Sequence, residues 1–421
     1  MGGDREQVMQ RYMSVAALAV TYFIFAILLN SVGVVILQSM ETFGVSKSQA
    51  SVLEGFKDLS IAFVSFFIAS LLPKVGYKLA LLIGLVMVGI AVSITPVIAN
   101  FLMIKILFAA IGVSFALVKV SVYASIGLLT NGKNEHSSLM NTIEGVFMLG
   151  TLFGYWLFSL FVTEGVSLLS WLNVYWVLSS LIAFAIVLTL FAPIRQKTAN
   201  EHSDSKPLKD FVSMLKLTLN PLVLVFVISV FLYVLIEQGI GTWLPTFNRE
   251  LLGLSLEVSV QMSSIFALGL ALGRLAAGQL LKRINWYTVL IVCLLAMSLL
   301  LIVVMPLTSN VEAKNVNQWM EAPLVAFLLP LIGFFMAPIY PVLNSVMLSS
   351  LPKHQHASMT GLIVVFSALG GTTGSIITGN VFQFLGGSVA FYFTLIPIVG
   401  LLCSLSLFRK KVELVTKGME K

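Results

Sequence analysis

Twelve long apolar runs constrain this chain more than any other feature of its sequence. Each run has about 20 residues or more, and a helix of that length spans about 30 Å, the thickness of the hydrocarbon core of a bilayer. The composition agrees, with 58% hydrophobic residues, 10% charged residues and a mean hydropathy of +1.00. The sequence therefore predicts an all-α integral membrane protein. The predicted spans 1 to 12 occupy residues 13–38, 48–72, 78–99, 102–129, 138–163, 167–192, 221–245, 257–281, 286–307, 323–349, 357–383 and 386–408.

The positions of the loop charges predict how the chain is oriented. When the loops are assigned alternately to the two sides, most loop lysines and arginines fall on the side that carries both termini. The other side keeps only Lys47, Lys105, Arg249 and Lys314. By the positive-inside rule, both termini are expected in the cytoplasm, with the chain crossing the cytoplasmic (inner) membrane many times. This distribution accounts for the net charge of +7 without a nucleic-acid partner.

The order of the spans predicts two similar halves. The segment that ends at Lys74 after span 2 and the one that ends at Arg283 after span 8 are offset by 209 residues, close to half of the 421-residue chain. We therefore expect two parallel six-helix repeats, residues 1–192 and 221–421. The linker between them, residues 193–220, is predicted to be cytoplasmic and to contain a helix on the membrane surface. Its apolar face is predicted to consist of Leu208, Phe211, Val212 and Leu215.

Span 2 contains three charged residues, Glu54, Lys57 and Asp58. Their spacing of three and four residues places them on one face of a helix. A charge at membrane depth costs a few kcal/mol unless it is paired or hydrated, so this face is predicted to turn toward an internal cavity. The alternative is a structural ion pair between Glu54 and Lys57 near the membrane surface.

A second charged group is predicted between spans 4 and 5. Lys119 and Glu144 lie at comparable depth on spans joined by a short loop, so we expect them to form an ion pair, with Tyr123 one turn from Lys119. The glycines Gly145, Gly150 and Gly154 of span 5 are expected to allow close helix packing.

Polar residues inside other spans are candidates for the wall of a substrate cavity. Span 7 has two glycines and a proline near Glu237 and Gln238, and such weak points in a membrane helix are tolerated mainly beside a cavity or a moving gate. Each of these residues has an alternative role in hydrogen bonds between helices. The candidates are Asn30, Tyr123, Tyr233, Glu237, Gln238, Trp243, Tyr340 and Asn344.

No pattern of an enzyme is present. Cys293 and Cys403 both fall within predicted spans, and no nucleophile, base and orienting group, or set of metal ligands, occurs at a workable spacing. We therefore expect no catalytic activity, no cofactor and no bound metal.

The twelve spans in two halves, the long central loop and the turns after spans 2 and 8 resemble the major facilitator superfamily. The residues of those turns that are expected to act in gating are Lys74, Gly76, Lys78, Gly273, Arg274 and Arg283. The chain departs from the family pattern where an acidic residue is expected, because Pro73 and Lys282 occupy those positions.

Within the superfamily the chain resembles the fucose permease (fucose/proton symporter) family. The resemblance lies in Gln49, the Gly76-Tyr77-Lys78 turn, residues 231–243 of span 7, Gly273-Arg274 to Arg283, Gly333-Phe334 with Tyr340-Pro341 and Ser345 in span 10, and Gly361 with Gly370-Gly371 in span 11. It implies proton-coupled import of a small sugar, with acidic residues on spans 1 and 4.

This chain lacks those two acidic residues. Span 1 offers Asn30 and span 4 offers Lys119. If coupling is to protons, Asp58 and Glu144 are expected to carry them, since burial favours the neutral carboxyl group and a nearby lysine favours its charged form. Lys57 and Lys119 also suit an anionic substrate.

The sequence thus predicts a monomeric secondary transporter that takes up a small polar solute, a sugar or a related carboxylated compound, by alternating access. Protons are the expected coupling ion, and sodium is an alternative. Two other hypotheses are a proton-driven exporter of amphiphilic compounds on the same fold and a membrane receptor or scaffold that no longer transports.

Overall fold

The computed structural model describes residues 2–130, 132–162, 167–194, 214–311, 316–352 and 355–419. Within them the backbone is almost entirely helical. The α-helices are α1 (Gly2–Asn30), α2 (Val32–Phe43), α3 (Lys47–Ala50), α4 (Val52–Val75), α5 (Tyr77–Ile98), α6 (Phe101–Leu129), α7 (Lys133–Ser159), α8 (Val174–Phe191), α9 (Pro221–Gly241), α10 (Leu244–Glu250), α11 (Leu256–Leu280), α12 (Trp286–Val304), α13 (Leu324–Leu328), α14 (Ile332–Met336), α15 (Ile339–Ser349), α16 (His356–Leu385), α17 (Gly387–Phe393) and α18 (Leu395–Met419).

The helices reproduce the twelve predicted spans. Ten helical stretches in the described part of the chain are long and apolar enough to cross a membrane. The other two spans correspond to α4 and α7, with 24 and 27 residues, which carry the predicted intramembrane carboxylates. The all-α membrane fold with twelve helices is confirmed.

Several spans are interrupted where the sequence weakens the helix. Span 1 breaks at Ser31, next to Asn30. Span 7 breaks at Thr242–Trp243, directly after Gly241, and span 10 breaks before Ile339, at the proline Pro338. Proline removes a backbone donor and glycine lowers the cost of leaving helical geometry, so the breaks in spans 7 and 10 follow from local chemistry.

Contacts between helices are of two kinds. Within the first half α1 packs on α7, α4 and α5 pack on α6, and α5 packs on α8; within the second half α9 packs on α16 and α18. Between the halves α4 packs on α16 and α7 packs on α11. In terms of the predicted spans, span 2 packs on span 11 and span 5 packs on span 8. A shift of six spans converts one pair into the other, as two parallel repeats related by a two-fold axis require.

The turn after span 2 is tighter than predicted. Helix α4 continues to Val75, and Gly76 alone makes the turn, with a φ of 91° that side chains larger than hydrogen rarely adopt. The ammonium group of Lys78 then donates to the carbonyl oxygens of Leu190 at 2.8 Å and Ala192 at 2.9 Å. A cation is favourable at this carboxyl end of α8, so Lys78 ties α5 to α8 inside the first half. The side chain of Lys74 is outside the described part of the chain.

The predicted linker and its surface helix lie largely outside the described residues. Directly before α9, the Asn220 side chain caps that helix by accepting a hydrogen bond from the backbone N–H of Leu222 at 2.9 Å.

Candidate functional site

The three charges of α4 form one cluster, as their spacing predicts. The Lys57 ammonium donates to Glu54 Oε1 and lies 3.5 Å from Asp58 Oδ1. It also donates to the Leu29 carbonyl oxygen at 3.3 Å, so it bridges α4 to α1. The Glu54 side chain is 0% exposed and that of Asp58 is 13% exposed. Two carboxylates thus share one ammonium group in a buried position.

The second half of the chain closes over this cluster. The hydroxyl group of Thr242, in the break between α9 and α10, lies 3.1 Å from Glu54 Oε2 and 3.2 Å from Gln238 Oε1. Asp58 faces α16 at Gly371, where a Cβ atom would collide with the Asp58 carboxylate. The cluster of Glu54, Lys57 and Asp58, here called the α4 triad, therefore lies at the contact between the halves.

More polar contacts join the halves at the end of the bundle opposite to both termini, here called the distal end. The Lys47 ammonium group pairs with Glu250 at 2.9 Å, and the Lys47 backbone N–H donates to Gln383 at 2.9 Å. The Ser48 hydroxyl group donates to Asn380 Oδ1 at 2.7 Å. These bonds connect α3 to α10 and α16.

The helix pair α7 and α11 is also bridged near the distal end. Gln261 Nε2 donates to the Ser159 hydroxyl group at 3.3 Å, across the two halves. Trp319 donates to Gln261 Oε1 at 2.7 Å and stacks on Trp156, with ring centroids 5.7 Å apart. The pair of α4 and α16 and the pair of α7 and α11 are therefore both closed at this end.

A second cluster lies on α6 and α7, closer to the termini. Tyr123 donates to Glu144 Oε1 at 2.6 Å. The Lys119 ammonium lies 5.8 Å from the centre of the Phe115 ring and 5.9 Å from that of Tyr123. The predicted ion pair between Lys119 and Glu144 is wrong for this structure, because Tyr123, one turn further along α6, takes the carboxylate.

The second half contributes a matching group of aromatic and charged residues. Tyr233 donates to Glu237 Oε1 at 3.1 Å and stacks on Tyr340, with ring centroids 5.7 Å apart. The Tyr340 hydroxyl group bonds to that of Ser367 at 3.1 Å. Asn344 Oδ1 is buried without a hydrogen-bond partner in the described structure.

Two other predicted cavity residues differ in their surroundings. Trp243 does not line an open cavity: it is buried, its Nε1–H donates to the Ser375 carbonyl oxygen at 3.0 Å, and it packs on Phe382 within the closed distal end. Asn30 is exposed at the break in span 1 and donates to Thr151 at 3.0 Å. The role of Asn30 in the wall of a substrate cavity stays a prediction.

The predicted gating residues of α11 separate into different roles. Gly273 lets α11 approach α14, because a Cβ atom there would collide with the Phe334 carbonyl oxygen. Arg274 is exposed, and its guanidinium lies 3.7 Å from the Met148 sulfur of α7, across the two halves. Arg283 is exposed in the turn after α11.

Sequence reasoning missed the polar residues that close the distal end. These residues have uncharged side chains, and nothing in their local sequence marks them as partners of distant helices. They are Ser48, Ser159, Thr242, Gln261, Asn380 and Gln383.

Several solved transporter structures have the same fold. A nucleoside transporter, NupG, superposes with a TM-score of 0.71 at 16% identity and covers 95% of this chain and 99% of its own. The E. coli fucose:proton symporter gives a TM-score of 0.61 at 15% identity, covering 95% and 99%. A D-xylose-proton symporter gives 0.66 at 16% identity, covering 94% and 96%. At these identities the similarity shows the fold alone, and the likeness to the fucose symporter is one of several.

Sequence comparison supports the same conclusion at the level of the family. The Protein TsgA homolog of Buchnera aphidicola subsp. Acyrthosiphon pisum (strain 5A) is 28% identical over 196 residues, 45% of this chain and 46% of the relative. The match thus spans about half the length of that relative. Residues 18–375 match the Major Facilitator Superfamily. Because that match covers most of the spans on which the two-fold helix packing depends, the chain belongs to the Major Facilitator Superfamily of membrane transporters.

Proposed function

We propose that the chain is a secondary active transporter that takes up a small polar solute across the cytoplasmic membrane by alternating access, driven by protons. The proposed moving units are the two six-helix bundles, residues 1–192 and 221–421, joined by the linker at residues 193–220. The structural neighbours include a fucose:proton symporter, a D-xylose-proton symporter and a nucleoside transporter. The fucose permease family is one of these possible relatives.

The contacts at the distal end support a definite conformational state. If both termini are cytoplasmic, as the loop charges predict, the distal end faces the outside. The ion pair of Lys47 with Glu250 and the hydrogen bond of Ser48 with Asn380 then close the outside, and Gly145 and Ser345, nearer the termini, are exposed. We propose that this state is open to the cytoplasm.

The proposed coupling to protons rests on one observation, the net negative charge of the α4 triad. Glu54 and Asp58 supply two negative charges and Lys57 supplies one positive charge, so closure of the distal end buries one negative charge in excess. Burial of an uncompensated charge costs several kcal/mol, and binding of one proton removes that cost. Proton binding is therefore coupled to closure of the outside.

Asp58 is the proposed proton carrier within the triad. Its 3.5 Å contact with Lys57 is longer than the bond between Lys57 and Glu54, and its side chain is more exposed than that of Glu54. Glu54 is held from both sides, by Lys57 and by Thr242. Glu144, which accepts from the neutral phenol of Tyr123, is the second candidate.

Transport into proteoliposomes tests this proposal. Purified protein is reconstituted and supplied with radiolabelled sugars, nucleosides, sugar acids and small carboxylates, with an inward proton gradient, an inward sodium gradient or neither. We expect the proton gradient to drive accumulation of the substrate. Asp58→Asn is expected to lose accumulation but to keep solute exchange, because exchange requires no net proton movement.

Matched carboxylate variants make the result specific. Glu413→Gln removes an exposed carboxylate that pairs with Arg409 near the end of α18, and it is expected to behave like the wild type. Loss of accumulation in Glu144→Gln alone would assign the proton to Glu144. Accumulation driven only by sodium would contradict proton coupling, and absence of transport for every compound would contradict the proposed uptake.

A further inference from the structure

Two cations more than one helical turn inside their predicted spans have no carboxylate within ion-pair distance in the described part of the chain. They are Lys119 of α6 and Arg274 of α11, one from each half. Lys119 has aromatic rings beside it, and Arg274 has the sulfur atom of Met148. Lys57, by contrast, is already shared by two carboxylates. Because an unpaired charge at membrane depth is costly, such cations mark functional sites.

A chain of contacts places both cations around one space between the halves. Arg274 contacts Met148, which lies one turn from Glu144 on the same face of α7. Glu144 bonds to Tyr123, which lies one turn from Lys119 on α6. Arg274 is exposed and Lys119 is partly exposed, so neither cation is enclosed by its own half of the chain.

Aromatic rings surround this space from both halves. Tyr123 lies beside Lys119. The rings of Tyr233 and Tyr340 stack on each other, and both tyrosines interact electrostatically with Arg274. Glu237 also interacts electrostatically with Arg274, although the two residues do not form an ion pair. The site thus combines the two cations with tyrosine rings and with two carboxylates, Glu144 and Glu237, each of which accepts a hydrogen bond from a tyrosine hydroxyl group.

We infer that the transported solute is a small organic anion, whose carboxylate or phosphate group binds Arg274 and Lys119 and whose body packs on the tyrosine rings. This inference rests on the proposed transport function and names its substrate class. The planar guanidinium of Arg274 presents paired donors to an anion, and Lys119 supplies a second positive charge from the opposite half. The bound anion connects the two bundles through the two cations, and this connection is lost when the anion dissociates.

The charge of the transported anion determines which gradient drives its uptake. One proton on the α4 triad and one substrate with a single negative charge carry no net charge across the membrane. Uptake of a monocarboxylate is therefore expected to respond to the pH gradient and not to a membrane potential imposed with potassium and valinomycin.

Binding to the detergent-purified protein tests the inference independently of transport. The probes are glucuronate, benzoate and glucose 6-phosphate as anions, with glucose and uridine as neutral compounds, measured by equilibrium dialysis and thermal shift. We expect an anion to bind the wild type, and Arg274→Gln and Lys119→Gln to weaken its binding at least about tenfold each. Arg274→Lys, which keeps the charge and loses the paired donors, is expected to bind with intermediate affinity.

Two control variants match the tested residues. Lys105→Gln removes a lysine that lies over the Phe101 ring at the other end of α6, and Arg409→Gln removes an exposed arginine of α18. Both are expected to bind the anion as the wild type does. The comparison of glucuronate and benzoate with glucose 6-phosphate shows whether the anionic group is a carboxylate or a phosphate.

The possible outcomes separate this inference from the proposed function. Binding and transport of a neutral compound, unchanged in Arg274→Gln and Lys119→Gln, would overturn the anion inference and leave transport intact. Binding of an anion that depends on both cations, without uptake into proteoliposomes, would support the site and contradict the transport proposal. Failure of every anion to bind the wild type would overturn the inference.

Discussion

At the scale of single residues, the Thr242 hydroxyl group connects the second half of the chain to the buried α4 triad. Thr242→Val keeps the shape of the side chain and leaves Glu54 Oε2 without this donor. A buried acceptor that loses its partner costs about 1–3 kcal/mol, so closure of the distal end is expected to weaken. In a background without Cys293 and Cys403, a buried cysteine introduced by Ser51→Cys is then expected to react at least about fivefold faster with an external membrane-impermeant maleimide.

A matched threonine supplies the control for this measurement. Thr95 is equally buried, but its hydroxyl group bonds to the Ala91 carbonyl oxygen of its own helix at 2.7 Å. Thr95→Val is therefore expected to leave the labelling rate of the cysteine at position 51 unchanged. Equal rates in the wild type, Thr242→Val and Thr95→Val would show that the bond to Glu54 does not hold the distal end closed.

The sequence predicted residue contacts only where the spacing within one helix determines them. Three charges spaced by three and four residues share a face of any helix, so the α4 triad was predictable. The partner of Glu54 was not, because Thr242 lies 188 residues further along the chain and no local pattern links them. The prediction of an ion pair between Lys119 and Glu144 was wrong for a related reason. The depth of the two residues in the membrane was predicted correctly, but whether Glu144 bonds to Lys119 or to Tyr123 depends on side-chain geometry.

At the scale of helices, the close packing of α7 on α1 depends on Gly150. A Cβ atom at Gly150 would lie 2.6 Å from the Phe23 carbonyl oxygen and 2.8 Å from the Ala26 Cβ, whereas one at Gly145 would meet nothing within 4 Å. Gly150→Ala is expected to destabilise the protein by about 1–3 kcal/mol through overpacking. Gly145→Ala is expected to be neutral or to stabilise by up to about 1 kcal/mol, since alanine is the better helix former. Thermal unfolding in detergent, followed by tryptophan fluorescence, measures both; a lower Tm for Gly145→Ala than for Gly150→Ala would contradict this packing.

Helix breaks were predictable because they depend on local backbone chemistry. The glycines before Thr242 and the prolines of span 10 weaken a helix in any environment, and the structure breaks at both places. The glycines of α7 show the limit of the same reasoning. Gly150 and Gly154 contact α1, but Gly145 does not, because the side of a helix that meets a neighbour is set by the whole bundle.

At the scale of the whole molecule, the packing of span 2 on span 11 and of span 5 on span 8 forms two related contacts between the halves. The offset of 209 residues between similar turns predicted the repeat, since a duplicated unit leaves its mark in the sequence. The closed distal end could not be predicted in the same way. Under the proposed alternating access the sequence encodes the contacts of two states, and the structure contains one of these sets.

Alternation itself can be tested by fixing the distal end. Ser48 and Asn380 form a hydrogen bond of 2.7 Å between the halves, so Ser48→Cys with Asn380→Cys, in a background without Cys293 and Cys403, is expected to cross-link with a short bifunctional thiol reagent. Because opening of the distal end requires these helices to separate, cross-linking is expected to abolish uptake into proteoliposomes, and a reducible reagent is expected to restore it when cleaved.

The control pair lies within one bundle and has similar geometry. Ser93 of α5 and Ser179 of α8 are hydrogen-bonded at 3.0 Å in the first half. Ser93→Cys with Ser179→Cys is expected to cross-link without loss of uptake, because a rigid bundle does not change its internal contacts as it rocks. Full uptake after complete cross-linking of positions 48 and 380 would show that the distal contacts persist throughout transport. Loss of uptake with both pairs would instead place essential motion inside the first half.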